Sequence, residues 1–256
     1  MVYPEAALSI YSKEPLAELQ YRVGNIISSS YDQDNLERIM FTAVGLLNGG
    51  VDVFAKDMMT RLRIAKLNLD AGKRAMSIAA FHPAVEYLQV AKKLMPACHW
   101  RDQYEMSLEL YSLATEVRFC IGDFKGAREY SVQVIDQKSP AADKLRVYHV
   151  LIDILTAEKR FQESIDLGLE VLRLFGCKLP HRKTSVVISN VLSTLGCKYC
   201  GVLGRAPTSF CNFPVATDKV NIGVMKTLHK IASSAYASKS PILPFVCVKE
   251  IQLDFR

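Results

Sequence analysis

No secretory leader opens this 256-residue chain: MVYPEAALSIYSKEPL carries a proline, acidic residues and no apolar run, so nothing there reads as a cleavable signal. A disulfide framework is missing too. The seven cysteines are odd in number and irregularly spaced, which argues against a secreted scaffold and predicts reduced thiols in a cytoplasmic protein. Long apolar runs are equally scarce. A membrane span needs about 20 predominantly apolar residues, and the most apolar stretch, 186–203, is interrupted by Ser189, Asn190, Ser193, Thr194 and Lys198. No span is expected. Excess charge is small, since 32 Lys and Arg stand against 26 Asp and Glu for a net +6. Basic residues gather at Lys56, Arg61, Arg63 and Lys66, at Lys92 and Lys93, and at Lys178, His181, Arg182 and Lys183. Nucleic-acid grooves interleave such charge with exposed aromatics or carry a recognised module; neither is visible, so these read as solvated helix faces and no nucleic-acid partner is expected.

Catalytic signatures are also lacking. The chain has no G-x-x-x-x-G-K-[ST] phosphate loop, no H-R-D with D-F-G set and no histidine-kinase nucleotide box. The most site-like feature is Cys197-Lys-Tyr-Cys200. Structural zinc takes four ligands, and neither Cys211 nor His181 supplies a second pair. A redox pair would follow a thioredoxin-like strand, which no part of the sequence predicts. Both cysteines are read as free thiols. His82, His99, His149, His181 and His229 are scattered, without partners at a triad spacing or the two-helix setting of a phosphoacceptor. Asp102 with Glu105, and Glu158 with Glu163, read as exposed helix carboxylates paired with Lys or Arg rather than as an acid and a base. No catalytic, cofactor-binding or metal residue is assigned.

What is present is a repeat. Phe81-His-Pro-Ala84, Phe124-Lys-Gly-Ala127 and Phe161-Gln-Glu-Ser164 each set a Phe three residues before a small residue, at or just before a new amphipathic helix. The Phe positions are 43 and 37 residues apart, inside the window of about 20 to 50 that marks stacked helical units. Tyr111 and Tyr148 each stand 13 residues before their Phe, which supports the register. Ala71-Gly72-x-x-Ala75, Ala84-x-x-x-Leu88, Ala91 and Pro96 fall where tetratricopeptide repeats carry small residues that let two helices approach, and a closing proline. The second unit runs through Tyr111, Ala114, Gly122-Asp123, Phe124, Ala127 and Val134, and the third through Tyr148, Leu151, Leu155, Phe161, Ser164, Leu167 and Val171 to Gly176.

Helices flank these units. Pro15 suits a first turn, and Leu16, Leu19, Val23, Ile26 and Ile27 predict one buried stripe. After a polar break at 28–35, with Asn35 as a cap, Leu36, Ile39, Met40, Ala43, Val44 and Leu47 continue the period until Asn48-Gly49-Gly50 is expected to stop it. Val51 to Leu69 predicts a further helix with Phe54, Met58, Leu62, Ala65 and Leu69 on its inner face. Beyond Leu179-Pro180 one helix is expected around Val186 to Leu195, then a Gly- and Pro-containing, lid-like loop over 196–218, then helices capped by Thr217-Asp218 and opened by Ser240-Pro241. Arg256 arrives mid-pattern, so the expectation is a sequence cut from a longer protein.

Six stretches in order, Glu37 to Asn48, RLRIAKLNLDAGKRA at 61–75, AAFHPAVEYLQVAKKLMP at 79–96, CIGDFKGAREY at 120–130, ESIDLGLEVLRLFGCKLP at 163–180 and 228–255, give almost the whole chain a resemblance. It resembles the helical region that follows the Orc1/Cdc6-like AAA+ module in large multi-domain predicted-ATPase signalling proteins, which join serine/threonine kinase, sensor, histidine kinase or cyclase domains. The resemblance implies regulatory and scaffolding work and transfers no catalytic residue. The expectation is therefore an all-α, tetratricopeptide-like helical-repeat solenoid in three parts. Residues 1–57 form an N-terminal helical segment after a missing ATPase module, 58–180 hold the repeats, and 181–256 form a C-terminal helical extension. The expected function is non-catalytic protein interaction with other domains of the same polypeptide or with protein partners. A stand-alone peptide-binding adaptor, and a Cys197- or Cys200-dependent enzyme or metal site, are the alternatives.

Overall fold

The computed structural model describes residues 13–30, 33–179 and 218–254, and every element among them is helical. The chain divides into two units, Met1–Asp123 and Phe124–Arg256.

In the first unit α1 (Lys13–Ser30), α2 (Gln33–Phe54), α3 (Met58–Ser77), α4 (Phe81–Leu94), the single turn α5 (His99–Asp102) and α6 (Tyr104–Cys120) follow one another. Sequential helices pack as antiparallel pairs, α1 on α2 and α3 on α4, while α6 reaches both α3 and α4. The second unit holds α7 (Phe124–Ile135), α8 (Ala141–Ala157), α9 (Phe161–Leu174), α10 (Lys219–Ala237) and α11 (Leu243–Asp254). There α8 packs on α7 and α9, α10 on α11, and α10 reaches both α8 and α9. In the second unit, α10, which pairs with α11, thus lies against both helices of the pair before it.

The small residues read from sequence sit where helices come closest. Ala71, Ala75, Ala84 and Ala91 are fully buried, and a Cβ added at Gly72 would meet Leu88 Cδ2 at 2.9 Å. A larger side chain would force α3 and α4 apart. Pro96 follows the end of α4.

One closure recurs after α3, α6, α8, α9 and α10. Ala79, Gly122, Lys159, Gly176 and Lys239 have positive φ, from 53° to 78°. The N–H of each bonds the carbonyl three residues back, and the next N–H bonds the carbonyl five back at 2.8–2.9 Å. This is the Schellman arrangement, which satisfies carbonyls that a helix end leaves without partners. Phe81, Phe124 and Phe161, all half-buried, each open a helix two residues after such a turn, and Ala84, Ala127 and Ser164 beyond them are fully buried. The three Phe-led turns are equivalent joints in backbone terms. A further joint at Lys239, with Pro241 in the place of Phe, has no such cue.

Four expectations are corrected. Gly49 and Gly50 do not end α2, which continues to Phe54; a Cβ at Gly50 would meet Ala17 O at 2.5 Å, so this glycine admits α1 rather than a turn. The next helix starts only at Met58, where Asp57 accepts the Thr60 N–H at 2.8 Å. Its inner face is Ile64, Ala65, Asn68 and Leu69, while Met58 is 47% exposed and Leu62 half-buried. Asn35 lies within α2 rather than capping it. Finally, Leu19, Val23 and Ile26 are exposed, at 54%, 36% and 63%. α1 packs on α2 through Ala17, Tyr21 and Gly24 instead: a Cβ at Gly24 would lie 2.8 Å from the backbone nitrogen of Leu47, and Tyr21 stacks on Phe54. Periodicity found the apolar stripe, but the close glycine contacts chose a different face.

Candidate functional site

Among the described residues, chemistry-bearing side chains collect in two places, one in each unit. In the first, α5 presents His99 and Trp100 to α6. The His99 ring stacks on Tyr111 with centroids 5.5 Å apart, and Trp100 packs on Tyr111 at 5.1 Å and on Tyr104 at 6.2 Å. Lys92 Nζ sits over the Tyr111 ring at 5.6 Å. His99 Nδ1 lies 2.9 Å from Ser107 Oγ, while Ser107 donates to the Gln103 carbonyl at 2.8 Å. Because a hydroxyl has one proton, the set closes when His99 Nδ1–H donates to Ser107. That is the reverse of nucleophile activation, in which the imidazole takes the hydroxyl proton. Ser107 is also fully buried, so the pair offers no attacking oxygen. Burial, with the Lys92 charge adding to it, pushes the His99 pKa down, and the ring works as a packed, neutral aromatic.

In the second unit α10 lies against α8 along a polar seam. His149 Nε2 is 2.9 Å from Thr227 Oγ1 and 3.2 Å from the Gly223 carbonyl. One turn further on, Lys230 Nζ holds both carboxylate oxygens of Asp153 at 2.6 and 2.5 Å. Burial, followed by the Lys230 charge, drives the His149 pKa down to about 4, against opposing effects from the Gly223 carbonyl and Asp153. The seam ends in a triangle of hydroxyls: Thr156, Ser164 and Ser234 lie 2.9–3.0 Å from one another. Thr156 and Ser164 also face the Ile152 carbonyl at 2.8 and 3.5 Å. Three protons serve five contacts, so the triangle joins α8, α9 and α10 with redundancy. Below it a Cβ at Gly168 would run into the Ile231 side chain. These groups key helices to one another.

The remaining sequence-level candidates divide plainly. Cys197, Cys200, Cys211, His181 and the loop residues 196–217 lie outside the described residues. His82 and His229 are exposed. Asp102 takes a hydrogen bond from Arg101 at 2.7 Å and one from the Cys98 thiol at 2.7 Å, which hold its pKa near 2 and push the thiol up. Arg160 bridges Glu158 and Glu163, at 3.2 and 2.6 Å, and Arg128 reaches Glu158 at 2.6 Å. The basic cluster is engaged as well: Arg61 donates to the Lys93 carbonyl, Arg63 to Asn25 and Ser28, Lys66 pairs with Asp70 and Lys93 with Asp52. Among the described residues no group of three His, Cys, Asp or Glu is placed to hold a metal ion, and no helix is long and apolar enough to cross a membrane. Sequence reasoning missed both the His149 seam and the aromatic nook around Trp100. His149 and Thr227 are 78 residues apart, and no local pattern signals their meeting.

No protein-family model matches the chain. A stretch of 146 residues, 54% of the chain, is 23% identical to part of hybrid signal transduction histidine kinase G of Dictyostelium discoideum. The chain covers 4% of that protein's length. It therefore distantly resembles a small part of a multi-domain histidine kinase signalling protein.

Proposed function

We propose that this chain is a non-catalytic, tetratricopeptide-like helical-repeat segment of a larger ATPase- and kinase-type signal-transduction protein, holding other domains or protein partners on its helical surface in the cytoplasm. The observation that carries the reading is the recurring joint. The same backbone closure, half-buried Phe and fully buried small residue return at Phe81, Phe124 and Phe161, as a tandem array of helix pairs requires. The partial likeness to a hybrid signal transduction histidine kinase supports the signalling context. In each unit the polar groups nearest to reaction chemistry are spent on helix-to-helix contacts, which favours coupling over catalysis. Stacked pairs that pack through glycine notches and keyed hydroxyls move together, so strain at one end is passed on through side-chain contacts.

The test is the natural transcript read on both sides of the 256 codons. An ATPase module upstream and a kinase or cyclase downstream is the expected result. Stop codons or unrelated domains on either side would remove the reading. A second arm assays the purified chain for ATP hydrolysis and autophosphorylation; no turnover is expected, and turnover lost on substituting Cys197 or Cys200 would replace the proposal with an enzyme.

A further inference from the structure

α10 meets its two neighbours with different chemistry. Toward α9 and α11 it is aliphatic, since one core joins Ile165, Leu169 and Leu172 of α9 to Leu228 and Ile231 of α10 and Val246 of α11. Toward α8 the matched groups are polar: His149 meets Thr227, Asp153 meets Lys230 and Thr156 meets Ser234. Leu145 adds an apolar contact at the Gly223 notch, where an added Cβ would lie 2.8 Å from its Cδ1.

These polar groups keep partners if α8 and α10 part. Thr227 donates to the Gly223 carbonyl of its own helix at 2.9 Å, Ser234 keeps Ser164 of α9 at 2.9 Å, and Thr156 keeps the Ile152 carbonyl at 2.8 Å. The Asp153 and Lys230 side chains are already 33% and 25% exposed, so water replaces their pairing. A buried polar group stranded without a partner is what ordinarily resists such a parting, and this seam avoids it.

His149 is the group that the closed seam constrains. Because the Thr227 proton is committed to Gly223, His149 Nε2–H donates to Thr227 at 2.9 Å, and Nδ1 is the nitrogen left to take up a proton. Burial first, then Lys230 and more weakly Lys226 of α10, oppose a charge on the ring, while the Gly223 carbonyl and Asp153 favour it. Glu170 of α9 acts on the neighbouring Tyr148, and Arg128 of α7 is held by Glu158 at the C-terminal end of α8.

We propose that the seam between α8 and α10 is an acid-released latch: protonation of His149 frees the α10–α11 pair from α8, while the aliphatic core holds that pair to α9. Opened, the ring is hydrated and takes its proton near the ordinary 6.5; closed, it does so only at about 4. Falling pH therefore favours the open form, by up to about 300-fold once the lower value is passed.

The experiment is carbene footprinting of the purified 256-residue chain between pH 7 and pH 4, read by mass spectrometry. Leu145 and Thr227, 6% and 0% exposed, should gain label about threefold, the change from buried to half-exposed, while Leu169 and Leu228, 3% and 0% exposed, stay unlabelled. Tyr236, 77% exposed, serves as the internal reference. His149→Gln keeps an N–H donor for Thr227 and should abolish the gain. Lys230→Met should move the midpoint of the gain to higher pH, whereas loss of the Asp153 pairing alone would raise labelling equally at every pH and count against the latch. Unchanged labelling of Leu145 and Thr227 at pH 4 would overturn the proposal, as would a gain that His149→Gln retains. A gain shared by Leu169 and Leu228, with loss of far-ultraviolet circular dichroism, would show that acid unfolds the unit as a whole and would overturn it too.

Discussion

The two units solve one packing problem with different materials. In the first, aromatic rings stack at three places, Tyr21 on Phe54, Phe41 on Tyr87, and His99 with Trp100 on Tyr111. The buried side-chain pair that joins α2 to α3 there is a reciprocal amide contact, Asn48 with Asn68, each donating to the other at 2.9 Å. In the second, an aliphatic core of Ile165, Leu169, Leu172, Leu228, Ile231 and Val246 is crossed by the histidine seam and the hydroxyl triangle. The glycine notches are of two kinds, and the first unit holds both, since Gly72 faces the Leu88 side chain. Gly24 and Gly50 face the backbone of a partner helix, whereas Gly168 and Gly223 face the side chains of Ile231 and Leu145. Backbone cannot move aside as a side chain can, so the α1–α2 pair of the first unit has geometry that tolerates less change, while the Gly168 and Gly223 contacts of the second can be redistributed.

The largest test of this contrast is pH. His149 has a folded pKa of about 4 against an ordinary value of 6.5. Its neutral form is what the seam accommodates, so its contribution is complete above pH 6.5. As pH falls from 6.5 to 4 the unfolded chain takes up a proton that the folded chain refuses, and stability drops by up to about 3 kcal/mol before levelling off. Urea denaturation across that range should show the loss, and His149→Gln should remove most of it. A wild-type stability that stays flat between pH 6.5 and 4.5 would refute the assignment. The carboxylates with lowered pKa values, Asp57, Asp102, Glu158 and Glu163, lose their contribution at lower pH and leave the upper part of that window to histidine.

The next test compares the notches. Gly50→Ala places a methyl against the Ala17 carbonyl, and Gly168→Ala places one against Ile231; each should cost about 1–3 kcal/mol by overpacking. The distinction is in the rescue. Ile231→Val should recover part of the Gly168→Ala loss in a double-mutant cycle, because the obstacle is a side chain. For Gly50→Ala the obstacle is backbone, and Tyr21→Ala should recover none of it. Equal rescue at both sites would erase the difference drawn between the backbone-facing and side-chain-facing notches.

Buried polar contacts offer a finer version. Asn68→Ala leaves Asn48 without its partner and should cost about 1–3 kcal/mol. Ser164→Ala leaves Thr156 and Ser234 still in contact at 2.9 Å, so its cost should fall at or below about 1 kcal/mol. Chemical denaturation of the two variants side by side checks the order.

Much of this was legible in the sequence, for a physical reason. Ala71, Gly72, Ala84, Ala127 and Ser164 mark positions where helix separation leaves no choice of size, and such positions stand out in a linear pattern. The Asp218 cap, accepting the Val220 N–H at 3.0 Å, is equally local. What escaped depends on which of two apolar or small faces wins. α1 carries both an aliphatic stripe and a glycine notch, and periodicity alone favoured the stripe; the closeness available at Gly24 and Gly50 decided otherwise. The same effect hid Gly50, whose role as a contact point looks identical to a helix stop until the partner helix is seen. His149, Thr227 and Gly223 meet only through packing of distant helices, so no spacing rule could have joined them.

The smallest expected effect tests the joints themselves. Each closure needs a left-handed residue, yet only Gly122 and Gly176 are glycines; Ala79, Lys159 and Lys239 adopt φ of 59°, 61° and 53°. A side chain in that conformation costs about 1–2 kcal/mol, while glycine costs about 0.4–1 kcal/mol through the freedom it adds to the unfolded chain. The difference favours glycine at these sites. Ala79→Gly in the first unit and Lys159→Gly in the second should each raise stability by about 0.5–1 kcal/mol, and Gly122→Ala should lower it by about 1 kcal/mol. Because the backbone closure is the same in both units, Ala79 and Lys159 should respond alike, unlike the notches and the polar contacts. Thermal denaturation of the three variants decides the matter: a gain at one joint and a loss at the other would mean that these turns are not equivalent, and the repeat would lose its strongest structural support.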